Sequence, residues 1–323
     1  MRRLTLGSDG PEISVLAYGL MSLSGVYGPS EDAASLGALQ RALELGFNFL
    51  DTAEAYGNGH NERLAAQVLS PRRNEIVLAT KWGIQMDAGR MQANGRPEQA
   101  RRAIEGSLKR LGTDHVDLYY LHKRDPAVAI EESVGGMARL VEEGKVLHLG
   151  LSSVKSDTLR RAHQEHPIAA LQSEYSILSR EPEGTTLHAC QELGTCFVAY
   201  SPLGRGFLTG AIRSADEFEE HDLRRVSPRL QGVNFASNLE RVDALVALAG
   251  EIEIEAAQLA LAWVRAHGAI PLFGSRQAAR IESNALAAEI DLDEQTLARI
   301  DEIAPAGCTL GDSLPEPLDH LIE

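Results

Sequence analysis

The feature that most limits what this chain can become is a repeated unit. A short apolar run is followed by an amphipathic stretch, and the pair recurs along the whole sequence. The runs occupy residues 15–20, 47–51, 76–81, 116–122, 146–152, 169–174, 196–201 and 269–274. Near-continuous apolar character over so few residues is the pattern of strands covered on both faces. Between them, stretches such as A-A-S-L-G-A-L-Q-R-A-L-E-L, Q-A-R-R-A-I-E-G-S-L-K-R-L, E-S-V-G-G-M-A-R-L-V-E-E and A-A-Q-L-A-L-A-W-V-R-A-H carry apolar residues at helical spacing.

Eight strand-then-helix units in 323 residues predict an α/β protein closed into a parallel (β/α)8 TIM barrel. An open doubly wound sheet of this size would usually bring a composition break or a second domain, so one domain over residues 1–323 is expected. Two irregularities are expected on that frame. L-T-L-G-S-D-G-P-E-I-S-V-L reads as an N-terminal β-hairpin around a Ser-Asp-Gly turn. About seventy residues separate Ser201 from the eighth strand, enough for a long loop after strand 7 and an extra helix near 238–251.

Composition removes several function classes. With 44% apolar and 24% charged residues, the chain can bury a large core and is not a disordered segment. No apolar run approaches a membrane span, and the first ten residues lack a signal-peptide stretch, so a cytoplasmic location is expected. Cys190, Cys196 and Cys308 are odd in number and lack a C-x-x-C spacing, which reads as reduced core thiols. A net charge of −15 repels nucleic acid and anionic lipid, so an anionic ligand needs its own local cations.

In a barrel of this kind the reactive face is at the carboxyl ends of the strands. Asp51, Lys81 and His122 end the second, third and fourth runs, and Tyr56 follows Asp51 by five residues. These strands are neighbours, so the four side chains should converge. A phenol with a pKa near 10 is about three units, or ~4 kcal/mol, from being an efficient proton donor and acceptor near neutrality. An ammonium about 4 Å away supplies roughly that much at an effective dielectric near 20. Lys81 is expected to play that part, with Asp51 holding it charged and His122 facing the substrate oxygen. The chain has 26 arginines and five lysines, so lysine at 81 is not a habit of the sequence. Taken singly, Asp51 could be a turn residue, Tyr56 half-buried packing and His122 a core histidine. The set at one edge of three adjacent strands is much harder to explain structurally.

F-L-D-T-A-E-A-Y-G, L-A-T-K-W-G, D-L-Y-Y-L-H-K-R-D-P, G-K-V-L-H-L-G-L-S-S, I-A-A-L-Q-S-E-Y-S, V-A-Y-S-P-L-G-R-G-F-L-T-G and G-S-R-Q-A-A-R-I-E-S-N-A run from about residue 16 to 303. Through them the sequence resembles the aldo-keto reductase family, in its pyridoxal-reductase-like or perakine-reductase-like branch. The resemblance implies a nicotinamide cofactor, NADP(H), extended across the barrel mouth, and a small-molecule carbonyl substrate reduced to an alcohol. It implies Asp51, Tyr56, Lys81 and His122 as the catalytic tetrad, with Tyr56 the general acid.

The same motifs carry cofactor positions. Ser152, Ser153 and Gln172 match residues that grip the nicotinamide carboxamide, although the family often has Asn where Ser153 stands. Tyr200 matches the aromatic that stacks on the nicotinamide ring. Ser201, Leu203 and Arg205 match the pyrophosphate loop, and Gly19 and Met21 the loop near the ribose. Ser275, Arg276, Gln277, Arg280 and Asn284 fall where the 2′-phosphate and adenine bind. The two arginines are expected four apart on one face at the start of the helix after the eighth strand. No G-x-G-x-x-G opens a helix after a strand, which argues against a Rossmann-type dehydrogenase.

Two other classes stay open on the residues alone. One is a non-redox barrel enzyme using Lys81 as a Schiff-base nucleophile. The other is a cofactor-binding regulatory subunit resembling the potassium-channel β subunits. Trp82, Val26, Tyr27, Ile84 and the long loop are expected as pocket walls. The sequence leaves open the substrate, the oligomeric state and whether residues 304–323 close over the mouth.

Overall fold

The computed structural model describes residues 1–87, 90–220 and 222–313, and within them every one of the eight apolar runs becomes a strand. In chain order the strands are β1 (Arg3–Thr5), β2 (Glu12–Ser14), β3 (Ala17–Gly19), β4 (Phe49–Asp51), β5 (Val77–Trp82), β6 (Ile84–Asp87), β7 (Arg90–Ala93), β8 (Val116–Leu121), β9 (Val146–Ser152), β10 (Ile168–Glu174), β11 (Cys196–Tyr200) and β12 (Ile270–Phe273). The helices are α1 (Asp32–Glu44), α2 (His60–Leu69), α3 (Pro97–Leu111), α4 (Ile130–Glu142), α5 (Ser156–Glu165), α6 (Thr186–Leu193), α7 (Gly232–Glu251), α8 (Ala256–Ala266), α9 (Ala278–Ala285) and α10 (Glu294–Ile303).

Strands β3, β4, β5, β8, β9, β10, β11 and β12 follow one another around a closed parallel barrel, a (β/α)8 TIM barrel. Closure comes from β12 pairing with β3, Leu272 opposite Ala17 and Phe273 opposite Tyr18. Alternation along each strand sorts the side chains into two cores. Ala17, Phe49, Val77, Ala79, Leu118, Tyr120, Ala170, Val198, Ile270 and Leu272 fill the barrel interior. Tyr18, Leu50, Leu78, Tyr119, Leu121 and Leu171 face the helical layer. Both faces are therefore dry, which is why the runs read as continuously apolar.

The predicted N-terminal hairpin is present as β1 and β2, with Leu4 opposite Ile13. Leu6 and Ile13 are fully buried and join the interior cluster, so the hairpin plugs the end of the barrel opposite the strand carboxyl ends. The segment after β11 is long, as expected, and is built of short 3-10 turns before α7. The extra helix begins earlier than the sequence suggested, at Gly232. A second hairpin, β6 with β7, was not legible in the sequence.

Cys190 is buried in the core, whereas Cys196 and Cys308 are only half-buried at its margin, and all three are free thiols. Among the described residues no helix is long and apolar enough to cross a membrane.

Candidate active site

The ends of β4, β5 and β8 bring the four expected side chains together. Asp51 closes β4 and Lys81 lies one residue before the end of β5; both are buried. Lys81 Nζ donates to Asp51 Oδ1, to the Thr52 carbonyl at 2.9 Å and to the Tyr56 hydroxyl at 3.1 Å. All three ammonium hydrogens thus have an acceptor, and the buried charge has a counter-ion. Gln172 Nε2 donates to Asp51 Oδ2 at 2.8 Å, so both carboxylate oxygens are fixed. His122 follows β8, its backbone N–H tied to the Trp82 carbonyl at 2.8 Å, and its ring meets Tyr56 edge-on with centroids 5.8 Å apart.

Tyr56 sits on the turn between β4 and α2. Gly57 and Gly59 at φ 58° and 78° and Asn58 at 51° let the chain fold back there, a conformation glycine adopts without cost. Buried Asn61 braces the turn: it accepts from Thr52 Oγ1 at 2.6 Å and donates to the Leu20 carbonyl and Ser24 Oγ, each at 2.7 Å.

Electrostatics correct one expectation. Burial raises the Tyr56 phenol above its ordinary value and outweighs the opposing pull of Lys81. Lys81 therefore offsets the cost of ionising Tyr56 without bringing the phenol down to neutrality, and the hydroxyl stays protonated. Burial pulls the Lys81 ammonium down, but Asp51 and then Tyr56 outweigh it, and the net shift is upward. Burial, reinforced by Lys81 and Lys123, holds His122 well below its usual range, so the ring is neutral at neutral pH. Its Nδ1 is buried and has no hydrogen-bond partner among the described residues.

A cavity of about 1110 Å³ opens over these groups, at the upper end of small-molecule sites. Asp51, Tyr56 and His122 line it, and Lys81 lies behind Asp51 and Tyr56. Gly19, Met21, Ser152, Gln172, Tyr200, Ser201, Leu203 and Arg205 also line it, as do Ser275, Arg276, Gln277, Arg280 and Asn284, which follow β12 across the barrel from β8. Ser153 is the exception, set back with its hydroxyl accepting from Lys123 Nζ at 2.9 Å. Ser153, Ser201 and Arg205 all have positive φ, at 55°, 53° and 58°. Such conformations cost of order 1–3 kcal/mol each in non-glycine residues and concentrate where a chain is shaped for a ligand.

After β12 the two arginines differ from the expected pair. Helix α9 begins at Ala278, so Arg276 precedes it and only Arg280 lies in its first turn. The Arg276 guanidinium donates to the carbonyls of Tyr27, Gly28 and Pro29, which fastens the loop after β3. Arg280 is exposed and has no such partner among the described residues. Arg205, 9% exposed, donates to the Ser313 carbonyl at 3.0 Å, while its other terminal nitrogen is buried and has no partner among the described residues. A cavity of this volume, lined by hydroxyls, amides and arginines, has room for a dinucleotide.

Of the expected pocket walls, Tyr27 lines the cavity and Arg224 lies over its ring at 5.3 Å, joining the loop after β3 to the one after β11. Trp82, Val26 and Ile84 do not line it. Trp82 alternates with Lys81, so it points outward and stacks on Tyr119 in the helical layer. Lys123 was missed, although a rare lysine directly after His122 was the available signal. Residues 304–313 run back along the barrel, with Asn238 holding Leu310 through two hydrogen bonds. Residues 314–323 of the tail lie outside the described residues.

Barrel, buried Lys–Asp pair and adjoining tyrosine and histidine define an oxidoreductase site of one kind, and the chain belongs to the aldo/keto reductase family, whose pattern matches residues 15–305. It is 38% identical over 319 residues to the Schizosaccharomyces pombe aldo-keto reductase yakc [NADP(+)], covering 96% of this chain and 93% of that one. It is 39% identical over 323 residues to probable aldo-keto reductase 1 of Glycine max, covering 98% and 92%. Among solved structures, a glycerol dehydrogenase of Gluconobacter oxydans superposes with a TM-score of 0.86 at 27% identity over 93% of this chain and 94% of that one. An aldo-keto reductase from Bacillus halodurans superposes with a TM-score of 0.79 at 25% identity over 99% of both chains.

Proposed function

We propose that this chain reduces aldehydes and ketones to alcohols with NADPH, Tyr56 being the general acid. The observation that carries the reading is the relay Asp51–Lys81–Tyr56, with Lys81 Nζ 3.1 Å from the phenol oxygen. When bound, the cofactor supplies the hydride. Ser152, Gln172 and Tyr200 would hold its nicotinamide end, Ser201, Leu203 and Arg205 its phosphates, and Ser275 to Asn284 its adenine end. Gly19 and Met21 would border the ribose, and Ser153 would act through its neighbours.

The protein's own groups handle the proton. A protonated Tyr56 donates to the carbonyl oxygen as charge develops there, and the fixed ammonium of Lys81 stabilises the phenolate left behind. Neutral His122 donates a hydrogen bond that orients the same oxygen. Lys81 is engaged by Asp51, Thr52 and Tyr56 and is held charged, which disfavours a Schiff-base role.

Tyr56→Phe keeps the ring and removes the proton. NADPH should still bind, seen by fluorescence quenching, while turnover of simple aldehydes falls at least about a hundredfold. Near-normal turnover in the variant would refute the assignment.

A further inference from the structure

Two lysines are buried at the mouth of the barrel, and they differ in what balances them. Lys81 has Asp51. Lys123 is 8% exposed and lines the same cavity, but its ammonium pairs with no carboxylate among the described residues and donates one hydrogen bond, to Ser153 Oγ. An ammonium has three donors, and a buried charge is ordinarily paired. The acid whose field reaches Lys123, Glu174, is already shared: Arg229 donates to its Oε1 at 3.1 Å and Arg205 lies 3.8 Å from its Oε2. Among the described residues Lys123 thus has no carboxylate of its own, at the mouth of a protein whose net charge is −15. Burial lowers the Lys123 ammonium to about 8, with Glu174 pulling the other way, so it remains charged at neutral pH.

Position ties that charge to the substrate end of the cavity. Strand β8 stops at Leu121, so strict alternation no longer separates the next two residues, and His122 and Lys123 both reach the cavity. Consecutive Cα atoms are about 3.8 Å apart, so Lys123 stands beside the residue that faces the reacting oxygen. The 2′-phosphate candidates Arg276 and Arg280 instead follow β12, four strands from β8 in either direction around the barrel.

Resting on the reading of the site as a carbonyl reductase, we propose that Lys123 is a substrate-recognition residue that receives a carboxylate on the carbonyl compound. The preferred substrates are then aldehydes or ketones that also carry an acid group. A charge-assisted hydrogen bond in a water-poor site is stronger than a neutral one, and an uncharged substrate leaves the ammonium without a counter-ion.

The test compares para-carboxybenzaldehyde with its uncharged methyl ester, using NADPH and the unmutated, Lys123→Met and Lys123→Arg proteins. The unmutated protein should favour the acid at least tenfold in kcat/KM. Lys123→Met should erase that ratio through KM, and Lys123→Arg should retain most of it. Independently of turnover, benzoate titrated into the cofactor-free protein by calorimetry should bind at least tenfold more weakly to Lys123→Met. Equal kcat/KM for acid and ester in the unmutated protein overturns the proposal. So does a Lys123→Met protein that binds NADPH tenfold more weakly with its acid-to-ester ratio intact, since Lys123 would then act on the cofactor side through Ser153. If the unmutated protein reduces neither compound, the reductase reading fails, and benzoate binding decides the role of Lys123: binding indifferent to Lys123→Met overturns it.

Discussion

Two residues before Tyr56 stands a half-buried acid that the proposed chemistry does not use. Glu54 Oε1 is buried with no hydrogen-bond partner among the described residues, and burial, with Glu62 next, raises its carboxyl to about 7 while Arg110 and a Gly83 backbone hydrogen bond oppose. Glu62 itself is satisfied, accepting from Thr80 Oγ1 at 2.7 Å and Arg110 Nε at 2.5 Å. The sign of the linkage follows. Between its ordinary 4.5 and about 7 the folded protein holds a proton that the unfolded chain has released, so Glu54 makes stability fall as pH rises through that window. Glu54→Gln should raise Tm by roughly 2–4 °C at about pH 8 and leave it nearly unchanged at about pH 5. Paired thermal melts at the two pH values check this, and an equal gain at both would refute it.

At the scale of elements, the strands sit in register because large and small side chains alternate inside the barrel. Tyr120 fills the interior opposite Gly150 on the neighbouring strand β9. A Cβ at Gly150 would lie 2.5 Å from Tyr120 Cδ1 and 3.1 Å from the Ala170 carbonyl oxygen. Gly150 has ordinary strand dihedrals, so the need for glycine is spatial rather than conformational. Gly150→Ala should destabilise by about 1–3 kcal/mol, the usual cost of overpacking, read as a lower urea midpoint with unchanged slope. Since Tyr120 lies below the tetrad, a stable Gly150→Ala protein would show that the barrel interior can yield there.

For the whole molecule, one cavity collects residues from Gly19 to Asn284, so a ligand filling it ties the first barrel strand to the last helical units. NADPH at about 100 times its Kd should add about 2.7 kcal/mol of stability and raise Tm by several degrees. The extra 2′-phosphate must be drawn to a protein of charge −15 by a local cation, and Arg280 is exposed and uncommitted. NADPH should therefore stabilise more than NADH. Arg280→Ala should weaken NADPH about 10-fold to 150-fold and remove most of the difference, Arg276 being occupied by the loop after β3. Equal thermal shifts for the two cofactors in the unmutated protein would refute the site. The barrel is proposed to form a single domain, which predicts that the shift appears in one transition.

What the sequence determined by itself is the part written in local periodicity and at strand ends. Buried runs of five to seven residues specified eight strands, and counting them specified the barrel. Barrel geometry then makes Asp51, Lys81 and His122 neighbours. Tertiary structure alone decided what depends on competition among distant groups. Burial outweighs Lys81 at Tyr56, so the phenol is raised rather than lowered. Outward alternation removes Trp82 from the cavity, and carbonyls 247 to 249 residues away accept from the Arg276 guanidinium. Lys123 is charged and buried without a paired carboxylate only because of where Glu174, Arg205 and Arg229 fold. Periodicity is a property of neighbouring residues and survives in one dimension, whereas desolvation and hydrogen-bond partnership are set by atoms that only the closed barrel brings together.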